Sequence, residues 1–278
     1  MTAAVHRLLV LDDQPEAAAV RAFVASGAWR DVAAFTRIPT RNPRYEVYAF
    51  PLPDLGTPCI LKIAQAAPAG HRFFRRLEAL VSQQVRDPAR RALRGARLLA
   101  QNGIPTLRPL ACWTARQGGC FRDSYFLYAE IPARHSLKDY KLGTTGLAPE
   151  ENARAFDALV APLAELVAAL HRRGLRHDDL ACGNFLVGAD GRLHLVDVDH
   201  VHAARLRWIP RLKRGFDLND LRRLDLDDAR LDVFLRRYLG AEDSPGWRRV
   251  FAFWRAGGNR PFRWLRRRLG LRRASARA

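Results

Sequence analysis

Residues 177–199 constrain this chain more than any other stretch. His177-Asp178-Asp179-Leu180-Ala181-Cys182-Gly183-Asn184 sets an Asp and an Asn five positions apart on one short loop, and Leu193-His194-Leu195-Val196-Asp197 ends an apolar strand in a second Asp. That Asp follows Asn184 by thirteen positions, which is room for a hairpin that returns it to the same place. The set then offers oxygen ligands for a hard cation, with one carboxylate left to take a proton. Only Asp179 keeps the five-residue offset to Asn184, so Asp178 is read as a bystander and His177 as a residue that holds the loop. Each piece alone is a weak signal. Their order and offsets together are specific.

A chain of 278 residues, 48% of them hydrophobic, can bury one large core or two smaller lobes. It has no run of about 18 uncharged apolar residues and no basic-then-apolar N-terminus, so neither a spanning helix nor export is expected, and the location is read as cytoplasmic. Cys59, Cys112, Cys120 and Cys182 form no Cys-x-x-Cys pair, which suits reduced, buried thiols. The formal charge of +19 attracts anions, whether nucleic acid, anionic lipid or phosphorylated glycan. Arginine-rich composition alone gives a basic chain, but only four lysines occur (Lys62, Lys138, Lys141, Lys213). A Lys inside an apolar strand is therefore not background.

From the N-terminus, the apolar run His6–Leu11 leads through Asp12-Asp13-Gln14-Pro15 into a helix-like segment reaching Val24. An acidic pair after a strand resembles a receiver domain, but no repeating strand-helix pattern follows, so residues 1–40 read as an extension packed on a small lobe. Tyr45–Phe50 and Cys59–Ala64 read as strands, and Lys62 is the charge in the second. Such a charge is costly unless it has a partner. It either meets nucleotide phosphates or lies on the solvent face of an edge strand. No Gly-x-Gly-x-x-Gly precedes it, and the turn Arg41-Asn42-Pro43-Arg44 offers arginines where a phosphate-covering loop would lie.

His71–Asn102 reads as helical and stops at Asn102-Gly103. Its Glu78 is either a partner for Lys62 or a surface carboxylate. The apolar strand Tyr125–Ile131 contains Glu130 and leads into a loop at a lobe boundary. Pro149–Arg173 is a long amphipathic helix with Phe156, Leu159, Val160, Leu163, Leu166, Val167 and Leu170 on one face and Pro162 as a potential kink. It delivers the chain to the 177–184 loop.

These motifs make the sequence similar to the bacterial lipopolysaccharide kinase family, over about residues 40–235. The resemblance rests on Lys62, Gly103-Ile104-Pro105-Thr106 before Pro109-Leu110-Ala111, the His177–Asn184 loop, Leu195-Val196-Asp197-Val198-Asp199, and Lys213-Arg214 followed by Asp220-Leu221-Arg222-Arg223-Leu224. It implies an α+β, two-lobed protein-kinase-like fold with a small β-rich N-lobe and a larger, mainly helical C-lobe. It also implies an ATP-dependent phosphotransferase with an alcohol acceptor, using Mg²⁺ and acting on a Kdo or heptose sugar of the lipopolysaccharide core or a lipid A precursor. The implied roles are Asp179 as base, Asn184 and Asp197 as metal ligands, Lys62, Glu78 and Glu130 around ATP, and Asp220 as a structural Asp. The family usually carries an acidic residue on the helix before Gly103, where this chain has Arg91-Ala92-Leu93-Arg94-Gly95.

The expected division is an N-terminal extension at 1–40, an N-lobe at 41–130, a C-lobe at 131–246 and a basic aromatic segment at 247–278. Trp247, Val250, Phe251 and Trp254 share a helical face, and eleven arginines follow Asp243 with no acidic residue among them. Residues 260–278 suit an anionic membrane interface better than nucleic acid, which would make the protein peripheral to the inner membrane. Two other readings stay open: a protein Ser/Thr or small-molecule phosphotransferase of the same fold, and a non-catalytic kinase-like binding protein.

Overall fold

The computed structural model describes residues 5–11, 15–40, 42–52, 58–65, 87–116, 122–204 and 210–256. Contacts divide it into two compact units, Met1–Arg97 with Leu107–Ile131, and Leu98–Thr106 with Pro132–Arg277. Glu78, Arg41, the Asp12-Asp13 pair, Cys120 and the arginine-rich stretch beyond 256 lie outside the described residues.

The first unit is built on a six-stranded antiparallel sheet. Its strands are β1 (Val5–Val10), β2 (Thr36–Ile38), β3 (Tyr45–Phe50), β4 (Cys59–Ala64), β5 (Arg108–Arg116) and β6 (Arg122–Ala129), in the order β1-β5-β6-β4-β3-β2. Segment 1–40 thus supplies both edge strands. It also supplies helix α1 (Ala17–Ser26), whose Val20, Phe23 and Val24 join Trp29, Phe50, Leu61, Trp113, Tyr125 and Leu127 in one buried cluster. The Trp29 ring meets Trp113 and Tyr125 edge-on, and its indole N–H donates to the Val24 carbonyl at 3.1 Å. A buried indole satisfied in this way keeps its large apolar area without leaving a polar atom stranded.

Strand β4 is interior, between β6 and β3, which removes the edge-strand alternative for Lys62. Cys59, Leu61 and Ile63 point into the cluster, so the alternation of a strand turns Ile60, Lys62 and Ala64 to the opposite face. Cys59 and Cys112 are free, buried thiols, both pushed up to about 12 by burial.

The second unit carries five short strands and most of the helices. Helix α2 (Pro88–Gln101), of which Pro88–Arg97 is grouped with the first unit, leads to Gly103, which takes the left-handed φ of +62° that ends a helix cheaply only for glycine. Strands β7 (Ala133–Ser136), β9 (Phe185–Gly188) and β10 (Leu193–Leu195) form one sheet, and β8 (Leu175–His177) pairs with β11 (Val201–Ala203). Helix α3 (Leu137–Leu142) opens with a capping box between Ser136 and Asp139. Helix α4 (Pro149–Arg172) begins with Pro149, Glu150 and Glu151, which suit the positive end of its dipole, and it runs on unbroken past Pro162. Of its expected face, Phe156, Val160, Leu163, Val167 and Leu170 are buried, and Leu159 and Leu166 are half-buried.

Helix α6 (Asp228–Leu239) lies against α4 with Leu231, Phe234, Leu235 and Tyr238 inward. Helices α5 (Pro210–Leu221) and α7 (Pro245–Arg255) pack together, and Phe251 is the buried residue of α7. Two arginines of α7 meet carboxylates: Arg248 forks onto Asp243 at 2.7 Å, and Arg255 reaches Asp228 at 2.9 Å. No described helix is long and apolar enough to cross a membrane.

Candidate active site

The 177–199 stretch folds back on itself through its own short strands. Strand β8 ends at His177, a 3₁₀ turn at Cys182–Asn184 starts β9, and β9 pairs with β10. A second 3₁₀ turn at Val198–His200 then leads into β11, which returns to β8 with Val201 opposite His177. The Asp178 amide extends that ladder by donating to the His200 carbonyl at 3.2 Å. The hairpin expected from the thirteen-residue offset is therefore real, and the Val196 amide closes it on the Asn184 carbonyl at 2.8 Å. The Ile104-Pro105-Thr106 segment holds the far side. Thr106 Oγ1 donates to the Leu195 carbonyl at 2.6 Å, and the Leu195 amide donates to the Pro105 carbonyl at 2.9 Å.

His177 is fully buried and lies between the two aspartates. Its Nδ1 accepts the Asp179 amide at 3.1 Å, and its Nε2 lies 3.2 Å from the Asp197 carbonyl. One nitrogen accepts and the other must donate, which fixes a neutral Nε2–H tautomer. Burial agrees, because it pushes the imidazole down to about 4.

Asn184 donates from Nδ2 to the Asp179 carbonyl at 2.8 Å, so its amide is oriented and Oδ1 remains an acceptor. Asp197 has φ +60°, an unusual left-handed backbone for a residue other than glycine. Asp197, Asp199 and His200 can bring one ligand atom each within 4.8 Å of one another. The Asp197 and Asp199 carboxylates, like the Asn184 side-chain oxygen, are hard oxygen donors of the kind Mg²⁺ prefers, whereas the His200 imidazole is not. Asp199 is buried, and the sequence motif alone assigns it no role. The signal that could have raised it is its two-residue spacing from Asp197 with an apolar residue between.

Arg176, just before His177, forks onto Asp220 of α5 through Nε at 2.7 Å and Nη2 at 2.5 Å. Asp220 thereby anchors the strand that presents the loop. Arg223, beyond the end of the same helix, donates to Oδ1 of Asp179. No sequence argument gave Arg223 a role.

The remaining candidates belong to the first unit. Lys62 places its Nζ 4.6 Å from the centre of the Tyr45 ring. The Glu130 amide donates to the Pro58 carbonyl at 2.8 Å and is therefore engaged within the unit. In the turn before β3, Asn42 Oδ1 accepts the Arg44 amide at 3.0 Å and the Asn42 carbonyl accepts the Tyr45 amide at 3.0 Å. The Arg44 and Tyr45 amides are thus engaged within the turn.

The fold is α+β and protein-kinase-like. The chain is similar to a solved structure of WaaP in complex with acyl carrier protein, at 18% identity and a TM-score of 0.52, covering 95% of this chain and 98% of that one. It is also similar to a Toxoplasma gondii rhoptry antigen kinase domain, at 12% identity and a TM-score of 0.48, covering 82% of each chain. No curated protein matches it. Residues 81–238, more than half of the chain, match the lipopolysaccharide kinase (Kdo/WaaP) family, to which this chain belongs.

Proposed function

We propose that this protein transfers the γ-phosphoryl group of ATP to a hydroxyl of a Kdo or heptose sugar in the lipopolysaccharide core or a lipid A precursor. The observation that carries this reading is the His177 bridge, which fixes Asp179 and Asp197 relative to each other on a segment that also orients Asn184. Phosphoryl transfer asks a protein mainly for positioning and charge. In the proposed step the acceptor oxygen bonds to the γ-phosphorus while the bond to the β–γ bridging oxygen breaks. That electron pair leaves on ADP, and the hydroxyl proton passes to the Asp179 carboxylate.

Asn184 and Asp197 would hold Mg²⁺, which when bound neutralises phosphate charge. Lys62, on an interior strand and turned away from the core, is suited to the α- and β-phosphates, with Glu78 as its proposed carboxylate partner. We further propose that the arginines beyond residue 256 hold the enzyme to the anionic cytoplasmic face of the inner membrane, where such acceptors are made.

The test is transfer itself. Purified protein with Mg²⁺-ATP and core oligosaccharides bearing Kdo or heptose should add one phosphate to the sugar, located by mass spectrometry. Transfer to protein hydroxyls, with none to either sugar, would overturn the sugar-kinase reading.

A further inference from the structure

The loop from Asp179 to Asn184 contains no cation. One reaches its carboxylate from 44 positions further along the chain, where Arg223 donates from Nη1 to Asp179 Oδ1. The turn that carries Arg223 is fastened independently to the same part of the unit. The Cys182 thiol, inside the loop, donates to the Leu224 carbonyl at 2.8 Å, and Lys141 of α3 donates to the Asp225 carbonyl at 2.8 Å and pairs with its carboxylate. Burial pushes the Cys182 thiol up to about 11, so it remains a protonated donor at neutral pH.

The ion pair itself is open to water, with the Asp179 side chain 33% exposed and that of Arg223 41% exposed. Pairs so exposed add little to stability. A well-fastened turn that delivers a weakly stabilising charge onto the candidate base is better explained by what the charge does to that base. Arg223 occupies Oδ1 and leaves Oδ2 to face an acceptor hydroxyl.

We propose that Arg223 is the positioning residue for Asp179, supplied by the turn after α5 because the loop has no cation of its own. This rests on the phosphotransferase reading. Arg223 acts through Asp179 and not on the acceptor.

The test compares wild type with Arg223→Ala and Arg223→Lys, using Mg²⁺-ATP with core oligosaccharide and, separately, with water as acceptor. Arg223→Ala should lower kcat by about 10- to 100-fold, as expected when a reacting group is misplaced. Both KM values should stay within about two-fold, because no ground-state contact is lost. Arg223→Lys should recover part of the rate, and added guanidinium should restore activity to Arg223→Ala. In an Asp179→Asn background, Arg223→Ala should cost nothing further. An unchanged kcat, or a rise confined to acceptor KM, would overturn the inference while leaving the phosphotransferase reading intact. A wild type that transfers phosphate to neither acceptor would overturn both.

Discussion

His177 reaches Asp197 through the backbone rather than the carboxylate: its Nε2 meets the Asp197 carbonyl at 3.2 Å while its Nδ1 takes the Asp179 amide. One buried, neutral ring therefore fixes the spacing of a candidate base two residues away in the chain and a candidate metal ligand twenty residues away. Neither carboxylate is consumed by the link.

The protonation of His177 should show in stability against pH. Its folded value near 4 lies below the ordinary 6.5, so the unfolded chain binds a proton that the folded chain refuses. The stabilisation is complete above pH 6.5 and is lost as pH falls from 6.5 towards 4, by about 3 kcal/mol from this group. Urea unfolding at pH 7.5, 5.5 and 4.5 measures this. A His177→Phe variant, which cannot protonate, should be less stable at pH 7.5 and should lack this component of the slope.

Asp179→Asn should lower phosphoryl transfer by about 10²- to 10⁴-fold, the range for removing a positioned base. Asp178→Asn should have a much smaller effect on kcat, since Asp178 enters the β8–β11 ladder through its backbone amide. Initial rates with saturating Mg²⁺-ATP distinguish the two, and equal losses would remove the assignment of Asp179.

Asp197→Ala should raise the Mg²⁺ concentration needed for half-maximal rate by about ten-fold or more, and Asn184→Ala should do likewise. Asn184→Asp should keep metal binding but lose the Nδ2 donor to the Asp179 carbonyl, so its defect should fall on kcat. Rates measured across a Mg²⁺ titration separate these outcomes.

Lys62→Met should weaken the stabilisation that Mg²⁺-ATP gives to wild type while leaving the melting temperature without ligand nearly unchanged. Ligand that binds the native state raises Tm in proportion to its occupancy, so a thermal-shift titration reports the difference. An identical Mg²⁺-ATP shift in the variant would argue against a nucleotide role for Lys62.

Trp29→Ala should destabilise the first unit by about 3–5 kcal/mol, the usual cost of emptying a buried aromatic site. Trp29 packs edge-on against the stacked Trp113 and Tyr125 rings in the sheet's core, so chemical denaturation should reveal the loss even though the residue is far in sequence from the strands it supports.

Much of this could be read before any coordinates. Tyr45–Phe50 and Cys59–Ala64 are strands with those bounds, and Pro149–Arg172 is the amphipathic helix that its apolar spacing required. These elements are legible because their signals are local: side-chain alternation, a 3.6-residue period, a proline at a helix start and a glycine after its end. The active-site loop was legible for a similar reason. A candidate base and two candidate metal ligands must sit at short fixed offsets, and Asp179, Asn184 and Asp197 have such offsets.

What the sequence could not assign depends on long-range pairing. Residues 1–40 read as an extension, yet β1 and β2 are the edges of the sheet and Trp29 lies in its core, because strand order follows from which apolar faces meet rather than from chain order. Arg223 lay inside the Asp220–Leu224 motif, but nothing in that motif tied its side chain to Asp179. Offsets within one segment determined which residues can carry the chemistry. Only the tertiary structure decided which distant arginine meets Asp179, because that contact depends on how the turn after α5 is fastened to Cys182 and Lys141.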